Sequence, residues 1–331
     1  MPAPSTSIPL VPPALFGMVL GFGGLGAAWR VASRVWGFPA VVGEALLALA
    51  ALLWLIWISL YAGKWLTVRS AARAELADPV ASFALGLIPM ATLVTSVALQ
   101  RYAPGLAWAL FVLGIVGGTF LAALLVGSAW KGGRGLETIT PLTVLPTAGT
   151  AYTGAMAASA LGYTEVAMLL WGPGLISWIV IDSLVLLRLM QHPLPVPLRA
   201  SIGIQLAPPT VGCLAYLAFT PGPPDKLVHF LIGYGILQAL VLLRLNSWIR
   251  EQPFSPGAWA FTFGVASFAG STLICLERDP AGALGALAWP AFVFANVFIA
   301  WIAARTVGLA MAGRLFPAPA LPAKSASSAG G

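Results

Sequence analysis

Apolar residues run along this chain in long blocks, separated by short stretches rich in charge, proline and glycine. The breaks divide it into ten candidate helices, near residues 14–35, 41–63, 80–99, 104–129, 141–161, 165–188, 199–219, 226–247, 255–276 and 284–311. The blocks at 45–63, 103–130, 227–243 and 282–304 are the clearest. A helix rising about 1.5 Å per residue needs on the order of 20 such residues to cross a bilayer core. The predicted fold class is therefore all-α and membrane-embedded. Residues 64–80 hold Lys64, Arg69, Arg73, Glu75 and Asp78 and are expected in water. A domain of ten helices over 14–311 is expected between an N-terminal tail, 1–13, and a disordered tail, 312–331, rich in Pro, Ala, Ser and Gly.

A second pattern separates odd spans from even ones. The third carries Pro89, the fifth Pro146, the seventh Pro208 and Pro209, and the ninth Gly264, while the first is crowded with Gly17, Gly21, Gly23, Gly24 and Gly26. Among the even spans the sixth has an interior proline, Pro173, and the tenth has Pro290 near its start. A mid-helix proline deletes a backbone hydrogen bond, and the freed carbonyl must find a neighbour or water in a cavity. The odd spans also concentrate hydroxyls and amides, among them Thr92, Thr95, Thr150, Gln205, Thr262 and Ser267. Five helical hairpins follow, with kinked odd helices around a central path and even helices facing lipid or neighbouring subunits. The competing explanation is that small and hydroxyl residues serve close packing, as they commonly do in membrane helices.

Composition closes the question of class. Charged residues make up 8% of the 331 and apolar ones 59%, with a mean hydropathy of +0.92, far too few charges for a water-soluble surface. Residues 1–13 lack a positive n-region and are interrupted by five prolines, so the first apolar run is expected to remain as a span. The net charge of +7 sits in inter-helix connections, which points to topology and anion attraction and not to nucleic acid. With an even number of spans both termini share a side. That side collects 12 of the 17 Lys and Arg residues, so both termini are expected in the cytoplasm.

Residues able to carry chemistry are few. His192 and His229 stand near span ends, no catalytic or phosphate-loop motif occurs, and no enzyme is expected. Cys213 and Cys275 are too few and too scattered for a metal site or a disulfide framework, so no metal and no cofactor is expected. Asp182, inside the sixth span, is the notable ionisable residue. It can neutralise Arg188 or Arg199, relay protons, or reach water at the span end. Gly17–Gly21 and Gly114–Gly118 have the spacing of close helix packing. Arg30, Arg34 and Arg101 gather on the outer face, as a positive vestibule or as interfacial anchors.

These segments together resemble the TehA tellurite-resistance/dicarboxylate transporter family, bacterial relatives of the plant slow anion channels. The carrying stretches run from Phe16-Gly17-Met18-Val19-Leu20-Gly21 and Ala28-Trp29-Arg30, through Asp78-Pro79-Val80, Leu87-Ile88-Pro89, Val144-Leu145-Pro146 and Leu161-Gly162-Tyr163. They continue with Gly203-Ile204-Gln205-Leu206-Ala207-Pro208, Gly233-Tyr234-Gly235, Leu242-Leu243-Arg244-Leu245 and Trp259-Ala260-Phe261-Thr262-Phe263-Gly264. The resemblance implies five hairpins about a pseudo-fivefold axis, odd helices inside, and a homotrimer in the bacterial inner membrane with one pore per subunit. It puts a pore-plugging phenylalanine at Phe263 and pore-lining kinks at Pro89, Pro146, Pro208 and Gly264. Two departures stand out: Met18-Val19 lacks a proline that some members have there, and Asp182-Ser183 replaces Glu-Pro. The function expected is a gated, poorly selective channel for small anions. The alternative is a proton-coupled exporter of dicarboxylate, sulfite or tellurite oxyanions.

Overall fold

In the computed structural model, which describes residues 10–316, the apolar blocks form helices, with no strand among those residues. Nine helices among the described residues are long and apolar enough to cross a membrane. They are α1 (Pro13–Trp36), α2 (Ala40–Thr67), α3 (Ala81–Leu99), α4 (Pro104–Trp130), α6 (Thr164–Gln191), α7 (Val196–Phe219), α8 (Lys226–Arg244), α9 (Pro256–Arg278) and α10 (Ala283–Met311). The fifth predicted span is helical too, but in pieces: a tight turn Pro141–Val144, a widened turn Leu145–Gly149, then α5 (Thr150–Ala160). Broken in this way, it offers no continuous helix of membrane-spanning length, and α5 has seven of its 11 residues buried. The predicted aqueous stretch 64–80 is partly folded: Arg69–Ala77 is a short helix, and Lys64, still on α2, is buried against Glu75 at 3.0 Å.

The odd–even asymmetry is borne out as inside versus outside. In α1, α3, α7 and α9 some 67–72% of the most apolar window is buried, against 22–33% in the even helices. α1 packs on α3, α3 on α5, α5 on α7, α7 on α9, and α9 returns to α1, so the inner segments close a ring. Each even helix lies outside it: α2 on α1 and α3, α4 on α3 and α5, α6 on α5 and α7, α8 on α7, and α10 on α9 and α1. Their outward surfaces carry Leu52, Phe120, Leu169, Phe230 and Val297, as a lipid-facing surface requires.

The inner segments share one construction. Each opens in tight 3₁₀ turns and relaxes into α-helix part-way along, at Gly17, Leu87, Thr150, Ala207 and Thr262. Pro89 and Pro208 stand within three residues of the point where the 3₁₀ turns pass into α-helix, where the hydrogen-bond pattern changes. Pro146 occupies the widened turn before α5. The two glycine pairs serve packing. A Cβ at Gly17 would lie 2.9 Å from the Trp259 Cβ and one at Gly114 2.7 Å from Leu93, while Gly21 abuts Thr262 and Gly118 abuts Thr150.

Both expected tails are cut short by the structure. Residues 1–9 and 317–331 lie outside the described residues. Val11 is buried, and Leu315 and Phe316 fold back onto the bundle, Phe316 edge-on to Trp57 at 6.4 Å between ring centres.

Candidate anion pathway

Where the inner segments begin and α10 ends, the ring encloses a cavity of about 520 Å³. Every inner segment contributes to its wall: Leu20 from α1, Met90 from α3, Leu145 from the turn before α5, Ile204 from α7 and Phe263 from α9. Phe263 is the deepest α9 residue on that wall and is only 4% exposed. Its ring has room because α1 offers no side chain at Gly24, where a Cβ would stand 3.2 Å from the Phe263 Cδ2. A smaller void of about 20 Å³ adjoins the cavity, sharing Met90, Leu145, Ile204 and Ala207 with its wall and bordered also by Tyr152 and Pro208.

Phe261, two residues earlier, does something different. Its ring lies over Gly203 of α7 and edge-on to Phe298 of α10 at 6.2 Å. It joins helices and does not border the cavity.

Of the expected pore-lining kinks, Pro208 borders the small void, while Pro89, Pro146 and Gly264 border neither of these two spaces. The role of these three is to position what does line the cavity: Leu87 and Met90 flank Pro89, and Leu145 precedes Pro146. Gly264 faces the α7 backbone, where a Cβ would meet the Ala207 N at 3.0 Å.

The hydroxyls of the inner helices were expected along the path, and most are committed elsewhere. Thr95 donates to the Ala91 carbonyl, Thr153 to Gly149, Thr210 to Leu206 and Gly264, and Thr262 to Trp259, at 2.8–3.0 Å. A threonine hydroxyl reaches the carbonyl a turn back more readily than it reaches an open path. Exceptions include Ser82 at the start of α3, Ser267, one turn beyond Phe263, and Tyr152, beside the small void. These hydroxyls are buried without a hydrogen-bond partner among the described residues.

Asp182 lies behind the pathway. Its carboxylate accepts from the Gln205 amide at 2.6 Å and the Tyr234 hydroxyl at 3.0 Å, and Gln238 donates to that hydroxyl at 2.9 Å. The network ties α6, α7 and α8 together. The expected pairing with Arg188 or Arg199 does not form. Arg188 donates to the His192 carbonyl at 3.2 Å, and Arg199 pairs with Glu251 and stacks on Trp248. Two neutral donors satisfy the acid where a cation was expected.

On the opposite end of the bundle the arginine cluster is largely neutralised. Arg30 grips Glu44 through two bonds of 2.8 and 2.7 Å, Arg101 approaches the same carboxylate at 3.8 Å, and Arg34 grips Glu277 at 2.6 and 3.0 Å. This is helix-end bracing more than a positive vestibule. Nearby, Asp225 caps α8 by accepting from the Val228 N–H at 3.1 Å. The Tyr216 hydroxyl bound to it holds its carboxyl below the usual carboxylate range. His229 bonds only the Asp225 carbonyl, and no group of three or more metal-ligating side chains occurs among the described residues.

Residues 11–307, almost all of the ten-helix unit, match the family described as voltage-dependent anion channel. The chain belongs to the voltage-dependent anion channel family. It is also 34% identical, over 307 residues, to the tellurite resistance protein TehA homolog of Haemophilus influenzae. That match covers 92% of this chain and 93% of its relative. Family membership and the helices together make this an all-α, multi-pass membrane protein of anion transport.

Proposed function

We propose that the chain is a gated channel for small anions whose path follows the axis of the inner ring, with Phe263 as the gate. The observation carrying this reading is the placement of one phenyl ring at the inner end of a cavity walled by all five inner segments. An apolar ring at the narrowest point excludes water and ion together. An anion in bare hydrocarbon costs tens of kcal/mol by Born estimates, so the path beyond the gate needs dipoles. The free hydroxyl of Tyr152, which borders the small void, is suited to supply one. With no fixed cation among the described residues bordering that void, binding is weak, which favours flux and poor discrimination among small anions. The test is anion current from wild type and Phe263→Ala in a planar bilayer.

The remaining elements of the reading are a homotrimer in the bacterial inner membrane, five hairpins about a pseudo-fivefold axis, and both termini in the cytoplasm. Topology follows from the segregation of Lys and Arg. A C-terminal fusion to green fluorescent protein is expected to be bright and an alkaline phosphatase fusion inactive. The reverse pair of results contradicts the orientation.

A proton-coupled exporter is the second reading, favoured by one observation: Asp182 is a buried acid with no cationic partner, touching Gln205 of an inner segment. In the channel reading its network is a strap. Asp182→Asn then leaves conductance within about a few-fold of wild type, because the Gln205 amide can turn to present its oxygen. Anion uptake into liposomes that is driven by a proton gradient and lost in Asp182→Asn would decide for the exporter.

A further inference from the structure

The 520 Å³ cavity has a composition that small anions alone do not explain. Its walls are aliphatic and aromatic, and the Ser201 hydroxyl on them is already donated to the Leu198 carbonyl at 2.6 Å. One charged residue lines it: Arg314, from the segment that follows α10 and folds back over the cavity mouth. The Arg314 side chain is exposed and forms no ion pair or hydrogen bond with the described residues. A chloride-sized ion would find one guanidinium and the Ser255 hydroxyl on walls otherwise apolar, and would give up hydration for little. An organic anion gains on both counts, burying its apolar body against Leu87, Leu142 and Trp259 while its charged end stays at Arg314. Cavities of about 300–1,000 Å³ with apolar walls and a few placed polar groups are the usual form of small-molecule sites.

We propose that this cavity is a binding site for organic monoanions with a compact apolar body, such as aryl or medium-chain carboxylates, held by Arg314. Its occupant sits directly over Phe263 and blocks the path from the side where the inner segments begin. The location of the block rests on the channel reading; the binding site itself does not.

The experiment is equilibrium binding of radiolabelled 2-naphthoate to the full-length protein in lipid nanodiscs, corrected for protein-free discs, with currents recorded separately in Phe263→Ala. Naphthoate is expected to bind saturably at one site per chain. Arg314→Gln should weaken binding by roughly tenfold, and Arg314→Lys should restore most of it. Because Arg314 is exposed, these variants should fold as wild type. Ala260→Trp, which fills the cavity from its wall, should remove binding. The neutral 2-naphthamide should bind Arg314→Gln and wild type equally, and both weakly. Unchanged naphthoate affinity in Arg314→Gln, or naphthamide binding as tight as naphthoate, overturns the site. In Phe263→Ala, naphthoate should block current only from the Lys/Arg-rich side. Binding with no current in any variant would retire the channel reading and leave the site standing; block from the opposite side alone would overturn its placement.

Discussion

Phe263→Ala is expected to raise anion current on the order of tenfold or more over wild type at matched surface abundance, by removing the apolar ring proposed as the gate. The ring borders the 520 Å³ cavity at its deepest α9 position and is 4% exposed. Trimming it to a methyl widens that cavity toward Gly24 of α1. No neighbour is placed to refill the gap. Gly24 opposite has no side chain, and the Thr262 hydroxyl is tied to the Trp259 carbonyl at 2.8 Å. Were Phe263 only a packing residue, the same change would cost about 3–5 kcal/mol of stability and yield no current. Phe261→Ala is the control, since that ring packs on Gly203 and Phe298 and borders no cavity. It should lose stability and stay silent. A current from Phe261→Ala alone would move the gate to that residue.

Gly21→Val should be strongly damaging to the inner ring. The α1–α9 contact is made at backbone distance: a Cβ at Gly21 would stand 2.9 Å from the Thr262 Cβ and 3.0 Å from the Trp259 indole. Neither can retreat. Thr262 is fully buried and bonded to the Trp259 carbonyl, and the Trp259 indole is buried and donates to Thr306 at 2.9 Å. Overpacking a core typically costs about 1–3 kcal/mol, and valine adds two methyls to a site with no room for one. Loss of folded protein, or a large fall in melting temperature, is the expected outcome by size-exclusion and thermal denaturation in detergent. Gly117→Ala on α4, where a Cβ meets nothing within 4 Å, should be neutral. Equal stability of both variants would contradict the α1–α9 packing.

The inside–outside division could be read from sequence because backbone geometry writes it there. Proline and crowded glycine are admitted only where neighbours or a cavity satisfy the backbone, so Pro89, Pro146, Pro208 and the glycines of α1 marked the inner segments. Side-chain partners were less visible. Glu277, which braces Arg34, is 243 residues away, and Tyr234, which bonds Asp182, is 52 away and uncharged. Charge pairing was the natural guess for Asp182, yet hydrogen bonds from Gln205 and Tyr234 suffice. The hydroxyl pattern was also ambiguous in kind. Threonines that could face a path or cap a carbonyl mostly do the second, with Ser82, Ser267 and Tyr152 among the hydroxyls left free. The cavity itself has no linear signature, being assembled from the first turns of five segments spread between Pro12 and Phe263, together with Arg314 and Leu315.

The reversal potential of Phe263→Ala under a tenfold potassium chloride gradient tests the central claim most directly. Current through an anion path along the inner ring reverses close to the chloride equilibrium potential, and replacing chloride with a larger anion shifts the reversal only modestly. A reversal close to the potassium equilibrium potential, or a current no greater than that of wild type, would contradict the account.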